Sequence, residues 1–307
     1  MDSEEKKTNK KIGAILVLYN PNLNQTLPAI KSLEKQVDEI CLIDNTPGQN
    51  IANEFIDIQN IHYIALGENR GIAAAQNVGI RYFINQGFDL VLFSDQDSSA
   101  PVDIVSSLID VYYRLTDVNI AIAAIGTRAI NKQTNIPYPS KSKELGTPKE
   151  IPETTNITEC YSIISSISII PLNALRLVGG FDEGLFIDGV DHEWCWRAWH
   201  NNKLRSFIAE DAKILHMLGE GDQKIGSKSV AISSVFRVYF QFRNFIWLKK
   251  RRYTPHFWIK KNKIKYFFKM LYYPIMVKPR IKYLKNIIYG IRDGYFITDN
   301  SSWPKFE

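Results

Sequence analysis

A chain of 307 residues that is 45% hydrophobic and 23% charged holds enough apolar material for one large α/β domain with an appendage, which excludes an extended disordered protein. No run approaches the roughly 18 uninterrupted apolar residues of a membrane-spanning helix; the longest candidate, Tyr161 to Ile170, is too short and too rich in serine. The net charge of +6 is unevenly spread: residues 224–307 carry 19 Lys and Arg against 3 Asp and Glu, and residues 1–223 carry 19 against 29, so an acidic body precedes a strongly basic tail.

In chain order, Met1 to Lys11 is polar and charge-rich and reads as a disordered N-terminal tail, neither signal peptide nor anchor. Apolar runs then recur at Ile12–Leu18, Glu39–Ile43, Ile61–Leu66, Phe88–Phe93 and Ile120–Ile125, every 22 to 32 residues. That is the length of a βα unit. Helical patterns between them, Leu27–Val37, Ile72–Gln86 and Val102–Leu115, complete the expectation of a Rossmann-like, mostly parallel sheet flanked by helices. Ser98 to Pro101 reads as the cap of the third helix. From Asn131 to Glu159 the chain turns polar, with four prolines, and reads as a long loop of the kind that forms lids or acceptor contacts. Cys160–Ile170 is expected as one strand and Leu204–Ile208 as another, followed by a turn at Glu210-Asp211. Cys41, Cys160 and Cys195 are odd in number and widely spaced, fitting neither a disulfide framework nor a zinc knuckle, so a reducing cytoplasm is the expected compartment.

Ligands of such sheets gather at the carboxyl ends of the strands. Tyr19-Asn20-Pro21, Asp44-Asn45, Gly67 to Gly71 and Ser94-Asp95-Gln96-Asp97-Ser98 all fall at such ends and should converge. An Asp-x-Asp spacing is expected about once by chance in this composition, so its strand-end placement is the informative part. Asp97 has the hard oxygen donors that Mg2+ or Mn2+ favour, with Asp95 set for a ribose hydroxyl or a metal-bound water; the competing reading is a pair capping the next helix. Asp44-Asn45 suits a pyrimidine N–H or ribose hydroxyl, or else a simple Asx-turn. Asn69 to Gly79 joins a turn to a helix face of small residues, which fits either a diphosphate near the helix start or a tight ligand-free connection, and it lacks the Gly-x-Gly-x-x-Gly fingerprint of dinucleotide binding.

Asp191 is expected to open a helix, where a carboxylate serves as a cap or as a general base for a hydroxyl; Glu193 and Arg197, four apart, are set to pair. His216 is either a packed side chain or a metal ligand completing a site with Asp97. In the basic tail, Ile264, Phe267, Phe268 and Leu271 share a helical face beside Lys261, Lys265 and Lys269. Such a helix suits an anionic membrane surface or packing on the body; nucleic acid is the weaker rival and is not expected as a partner.

Taken together and in order, Val17–Pro21, Asp44-Asn45, Asn69–Gly79, Asp95–Ser98, Asp191–Arg197, His216–Gly219 and Arg237–Asn244 resemble the inverting family 2 glycosyltransferases of the GT-A fold. Among these they are most similar to bacterial rhamnosyltransferases that use dTDP-L-rhamnose. The resemblance covers residues 12–250 and implies a GT-A catalytic domain over 12–223 with a basic helical C-terminal extension over 224–307. It implies that Tyr19, Asn20, Asp44, Asn69, Gly71, Asn77, Asp95 and Gln96 bind the donor nucleotide, that Asp97 and His216 hold the metal, and that Asp191 is the base. Trp194, Arg237, Arg243 and Asn244 fall where the family meets the diphosphate or acceptor. Where many members have Glu-Asp before the base helix, this chain has Val190-Asp191, leaving the companion carboxylate missing or supplied by Asp188.

The implied activity is inverting transfer of L-rhamnose from dTDP-β-L-rhamnose to a hydroxyl of a lipid-linked bacterial surface glycan such as O-antigen, at the inner face of the cytoplasmic membrane. Alternatives are the same chemistry with UDP-galactose or UDP-N-acetylglucosamine, a non-catalytic sugar-nucleotide binder, and a nucleotidyltransferase by fold analogy.

Overall fold

Strands form in the first hundred residues because alternate side chains meet two buried layers. In β1 (Ile12–Leu18), Ile15 enters one core while Ala14, Leu16 and Leu18 enter the other; in β2 (Glu39–Asp44), Cys41 and Ile43 oppose Ile40 and Leu42. A computed structural model describes residues 10–299 and 301–306 apart from residues 49, 132–136, 138–141, 217–221 and 226–227. The N-terminal tail thus lies mostly outside the described residues. Lys10 and Lys11 are both tied to Asp89, through an ammonium–carboxylate pair at 2.9 Å and a backbone N–H bond at 2.9 Å.

The sheet has nine strands in the order β3-β2-β1-β4-β8-β5-β9-β7-β6. Its first half, β3 (Ile61–Ala65), β2, β1 and β4 (Leu90–Asp95), is parallel as the βα spacing predicts, with α1 (Leu23–Glu34) and α2 (Gly71–Asn85) as crossovers and α3 (Ile104–Asp117) leading out of β4. The second half is mixed. β8 (Ser168–Pro171) slots antiparallel between β4 and β5 (Ile122–Asn131); β9 (Arg205–His216) runs parallel to β5; β7 (Ile157–Cys160) and β6 (Glu144–Gly146) finish the edge antiparallel.

Three expectations change here. The single strand over Cys160–Ile170 divides, because β7 pairs outside β9 while β8 pairs inside β5, and serine-rich residues 161–167 carry the chain between those positions. The polar stretch from Asn131 contains β6 and β7 as well as loop. Ser98 to Pro101 does not cap α3: Asp103, at φ +66°, precedes the helix without a side-chain cap, and Ala100 N–H and the Pro101 carbonyl bond instead to Ser32 of α1 and to Gln36 just after it.

The C-terminal region is α6 (Val235–Leu248), α7 (His256–Met276) and α8 (Arg280–Phe296), preceded by a β-hairpin of β10 (Asp222–Ile225) and β11 (Lys228–Ala231). Trp247, Leu248 and Trp258 share one core with Trp194 and Trp196 of α5 (Val190–Asn202), while Val238, Phe242, Tyr273, Val277, Tyr283 and Ile287 make a smaller core of their own. Full burial of each such large side chain contributes about 1.5–3 kcal/mol. The chain end then returns to the α/β body: the Pro304 and Ser302 carbonyls accept from Gly180 and Glu183 N–H, and Arg197 stacks over Trp303 at 4.1 Å. Residues 224–307 are therefore built into the body rather than hung from it. Among the described residues, no helix is long and apolar enough to cross a membrane.

Glu193 and Arg197 do pair, at 2.8 Å and out of solvent. Arg251 extends that buried network, meeting Asp182 at 2.7 Å, Asp299 at 2.8 Å and Glu193 at 3.5 Å. Removing one partner of a buried pair leaves the other charge uncompensated. Arg251→Met should accordingly lower unfolding free energy by about 3–5 kcal/mol in a urea titration; a loss under about 1 kcal/mol would show that the network is not a stabilising tie.

Candidate active site

The strand ends converge as their order predicts, and side chains stitch them together. Tyr19 N–H donates to the Gln96 side chain at 2.8 Å, and the Gln96 amide donates back to the Tyr19 carbonyl at 3.2 Å, joining β1 to β4. Asn20 N–H donates to Thr46 Oγ1 at 2.9 Å, joining β1 to β2. Asn45 accepts from Arg70 N–H at 2.8 Å and donates to Asn69 at 3.0 Å, fixing the turn that starts α2. Tyr19, Asn20, Asp95 and Asp97 are exposed at the mouth this creates.

Asp44 is not. It has no exposed surface, and its two oxygens accept from Thr46 N–H at 2.9 Å and the Tyr63 hydroxyl at 2.5 Å, so it shapes the β2 loop from behind. Burial, and then the bond to Asp44, pushes the Tyr63 hydroxyl up to about 12. The small residues after Asn69 also serve the protein. A Cβ on Gly71, at φ +82°, would lie 2.7 Å from the Phe186 ring and carbonyl, and one on Gly79 would lie 2.8 Å from Ile15. Asn77 is buried and clamps Phe181 by its N–H at 2.8 Å and its carbonyl at 2.9 Å. Gly71 and Asn77 thus hold the loop before α5, and the diphosphate room expected there is filled by Phe186.

That loop, residues 184–189, is strained. Ile187 N–H bonds the Leu185 carbonyl at 2.7 Å across Phe186, whose φ of 64° and ψ of −61° make the rarer form of γ-turn. Asp188, at φ 65°, and Gly189, at φ 92°, follow in left-handed conformations. Non-glycine residues held this way cost on the order of 1–3 kcal/mol each and persist only where their surroundings fix them. Here α6 does so. The Asn244 amide donates to the carbonyls of Leu185, Ile187 and Asp188 at 2.9, 2.6 and 2.9 Å; Arg243 donates to those of Gly184 and Leu185 at 2.7 and 3.0 Å; Phe240 stacks on Phe186 at 4.7 Å. Arg243 and Asn244 are consequently buried clamps, not ligand contacts, and burial lowers the Arg243 guanidinium. Trp194 is wholly buried, with its indole bonded to the Gly179 carbonyl at 2.8 Å, so it too stands away from the cleft.

Asp191 emerges from this loop on the first turn of α5, half-buried. Its Oδ1 accepts from His192 N–H at 2.8 Å and its Oδ2 from Ser165 N–H at 3.3 Å. Residues 161–167, expected as strand, thereby become part of the site: Ser162 lies 2.7 Å from His192 Nδ1, and Ser166 Oγ lies 3.5 Å from Ser98 Oγ in the acidic loop after β4. The Ser165-Ser166 pair inside an apolar run was the signal for them. Asp188 is the carboxylate three residues before Asp191, but Arg237 takes it in a bidentate pair at 2.6 and 3.1 Å, so it is no free companion base. The bond to Asp188, and then the field of Asp95, raises the Arg237 guanidinium, which remains half-exposed.

For a divalent cation, Asp97 and Asp95 present exposed carboxylates of the hard donor type that Mg2+ and Mn2+ take. Among the described residues no group of three His, Cys, Asp or Glu closes a shell. His216 ends β9, and its side chain lies outside the described residues. The two carboxylates fit a metal that borrows its remaining ligands from a phosphorylated substrate.

A family model described as Glycosyl transferase family 2 matches residues 14–168. The chain is 31% identical over 292 residues to the dTDP-rhamnosyl transferase RfbF of Shigella flexneri, spanning 93% of this chain and 96% of that protein. A solved structure of GalNAc-T7 with UDP, GalNAc and Mn2+ superposes with a TM-score of 0.54 at 14% identity, over 89% of this chain and 58% of that one, a likeness of GT-A-type fold.

Replacing Asn244 by Ala takes the side-chain donor from the Ile187 and Asp188 carbonyls and leaves that of Leu185 to Arg243. Stability should fall by about 1–3 kcal/mol, and amide exchange should accelerate over residues 185–189 with the β1–β4 amides unchanged. Unaltered exchange at 185–189 would contradict the clamp.

Proposed function

This chain belongs to glycosyl transferase family 2, and from that premise we propose that it transfers L-rhamnose from dTDP-β-L-rhamnose to a glycan hydroxyl with inversion at the anomeric carbon. The observation that carries the reaction type is Asp191: a half-buried carboxylate on the first turn of a helix, held by two backbone N–H groups, one of them from Ser165 in the segment whose Ser166 meets Ser98 of the acidic loop. The helix start is electrostatically favourable for an anion. The donor identity rests on the relative's activity.

In this reading the acceptor O–H gives its proton to Asp191 as its oxygen attacks the anomeric carbon. The bond from that carbon to the diphosphate oxygen breaks on the opposite side, dTDP leaves with the electron pair, and the product is an α-L-rhamnoside. Tyr19, Asn20, Gln96 and Asp95 line the nucleoside end of the cleft. Asp97 with His216 would hold Mg2+ or Mn2+, whose positive charge stabilises the anionic leaving group. Arg237, fixed by Asp188 and within the field of Asp95, supplies a second cation beside that group. The acceptor is a lipid-linked saccharide of a bacterial surface polysaccharide, met at the inner face of the cytoplasmic membrane.

Asp191→Asn preserves shape and removes the base. It should bind dTDP as the wild type does while turnover of dTDP-rhamnose falls by about 10²–10⁴-fold; undiminished turnover would remove Asp191 from the role. Chelation of divalent ions should abolish transfer and Mg2+ or Mn2+ should restore it, whereas full activity in EDTA would remove the metal.

A further inference from the structure

The helix α7 is amphipathic twice over. Trp258, Asn262 and Tyr273 are buried along one side, and Ile264, Phe267, Phe268, Leu271 and Ile275 run at helical spacing along the opposite side, each 47 to 63% exposed. An apolar ridge pointing away from its own core is not packing on the body, the reading that competes with a surface role. Lys260, Lys261, Lys263 and Lys265 are exposed around the ridge. From His256 through Arg292 the chain has ten Lys and Arg and no Asp or Glu. α8, packed on α7, exposes Ile281 and Ile288 in addition.

We propose that this face of α7 is a docking surface for an anionic phospholipid bilayer, with the helix lying in the interface plane. Aromatic and aliphatic side chains ringed by lysines match the acyl boundary and the phosphates above it, and each lysine near such a surface strengthens binding about fivefold. A second copy of this chain is disfavoured on the same face, because self-pairing sets lysines against lysines with no carboxylate to answer them. The placement also orients the cleft. On its inner side α7 packs on α6, with Tyr266 against Phe242 at 5.2 Å between ring centroids and Lys269 donating to Gln241 at 2.7 Å, so the docked bilayer lies on the far side of α7 from the helix that carries Arg237. The use of that placement, access to a lipid-linked acceptor, rests on the transferase reading; the docking itself does not.

The test is sedimentation of the full-length protein with vesicles of phosphatidylcholine, with or without phosphatidylglycerol, at low salt, beside turnover of dTDP-rhamnose in solution without vesicles. The wild type should sediment with the phosphatidylglycerol vesicles and stay in the supernatant with phosphatidylcholine alone. Phe267→Ser/Phe268→Ser should abolish the association, and Lys261→Gln, Lys263→Gln and Lys265→Gln should each weaken it about fivefold, with helical content and solution turnover unchanged. Failure of the wild type to sediment, undiminished association of the Phe267→Ser/Phe268→Ser variant, or a solution dimer that these substitutions dissociate would overturn the proposal. Vesicle binding by a protein inactive on dTDP-rhamnose would uphold the docking surface and count against the transferase reading.

Discussion

The site depends on one constraint: the carbonyls of residues 184–188 must be held in a path that the backbone would not otherwise choose. A γ-turn at Phe186 and left-handed residues at Asp188 and Gly189 lead into the start of α5 and so set the position of Asp191. Asn244 and Arg243 offset that strain with five donated hydrogen bonds, and Arg237 adds an ion pair. The residues most concerned with Asp191 therefore lie about fifty positions beyond it in the chain. This explains why the segment Arg237–Asn244 reads as functional from its sequence although only Arg237 of its polar members reaches the cleft.

The same logic makes the C-terminal region part of the enzyme rather than an accessory. α6 contributes Trp247 and Leu248 to the core that buries Trp194, and Arg251 ties Asp182, Glu193 and Asp299 into one buried ion network. The final residues return to bond the turn at Gly180 and Glu183. Burial pushes Asp182 up against the opposing pull of Arg251, which shows how far that acid depends on its partner. An acidic body and a basic tail are thus complementary halves of one structure, with the surplus lysines of α7 left facing outward.

Much of this was legible in the chain. Apolar runs at βα spacing reported the parallel half of the sheet, since both of its faces are buried, and the strand-end polar groups converged because parallel strands share one carboxyl edge. The i,i+4 spacing of Glu193 and Arg197 reported their pair. Other features carried no local signal. β8 enters antiparallel between β4 and β5 through a partner choice made far along the sequence, so Cys160–Ile170 looked like one strand. Asp44, Gly71, Asn77 and Trp194 have the residue types of a ligand site, but burial assigns them to the protein itself. Only tertiary contacts with Tyr63, Phe186, Phe181 and Gly179 distinguish those roles.

Family membership and the relative's activity lead to a single claim, that the cleft transfers rhamnose from its thymidine diphosphate. The most direct measurement offers dTDP-L-rhamnose, UDP-galactose and UDP-N-acetylglucosamine separately with a divalent cation and a lipid-linked saccharide acceptor, and follows the anomeric signals of the glycosylated products by proton NMR. Preferential consumption of dTDP-L-rhamnose with appearance of the α-L-rhamnosyl anomer is the predicted result. Preferential consumption of a UDP-sugar, or a product that retains the β configuration, would contradict it.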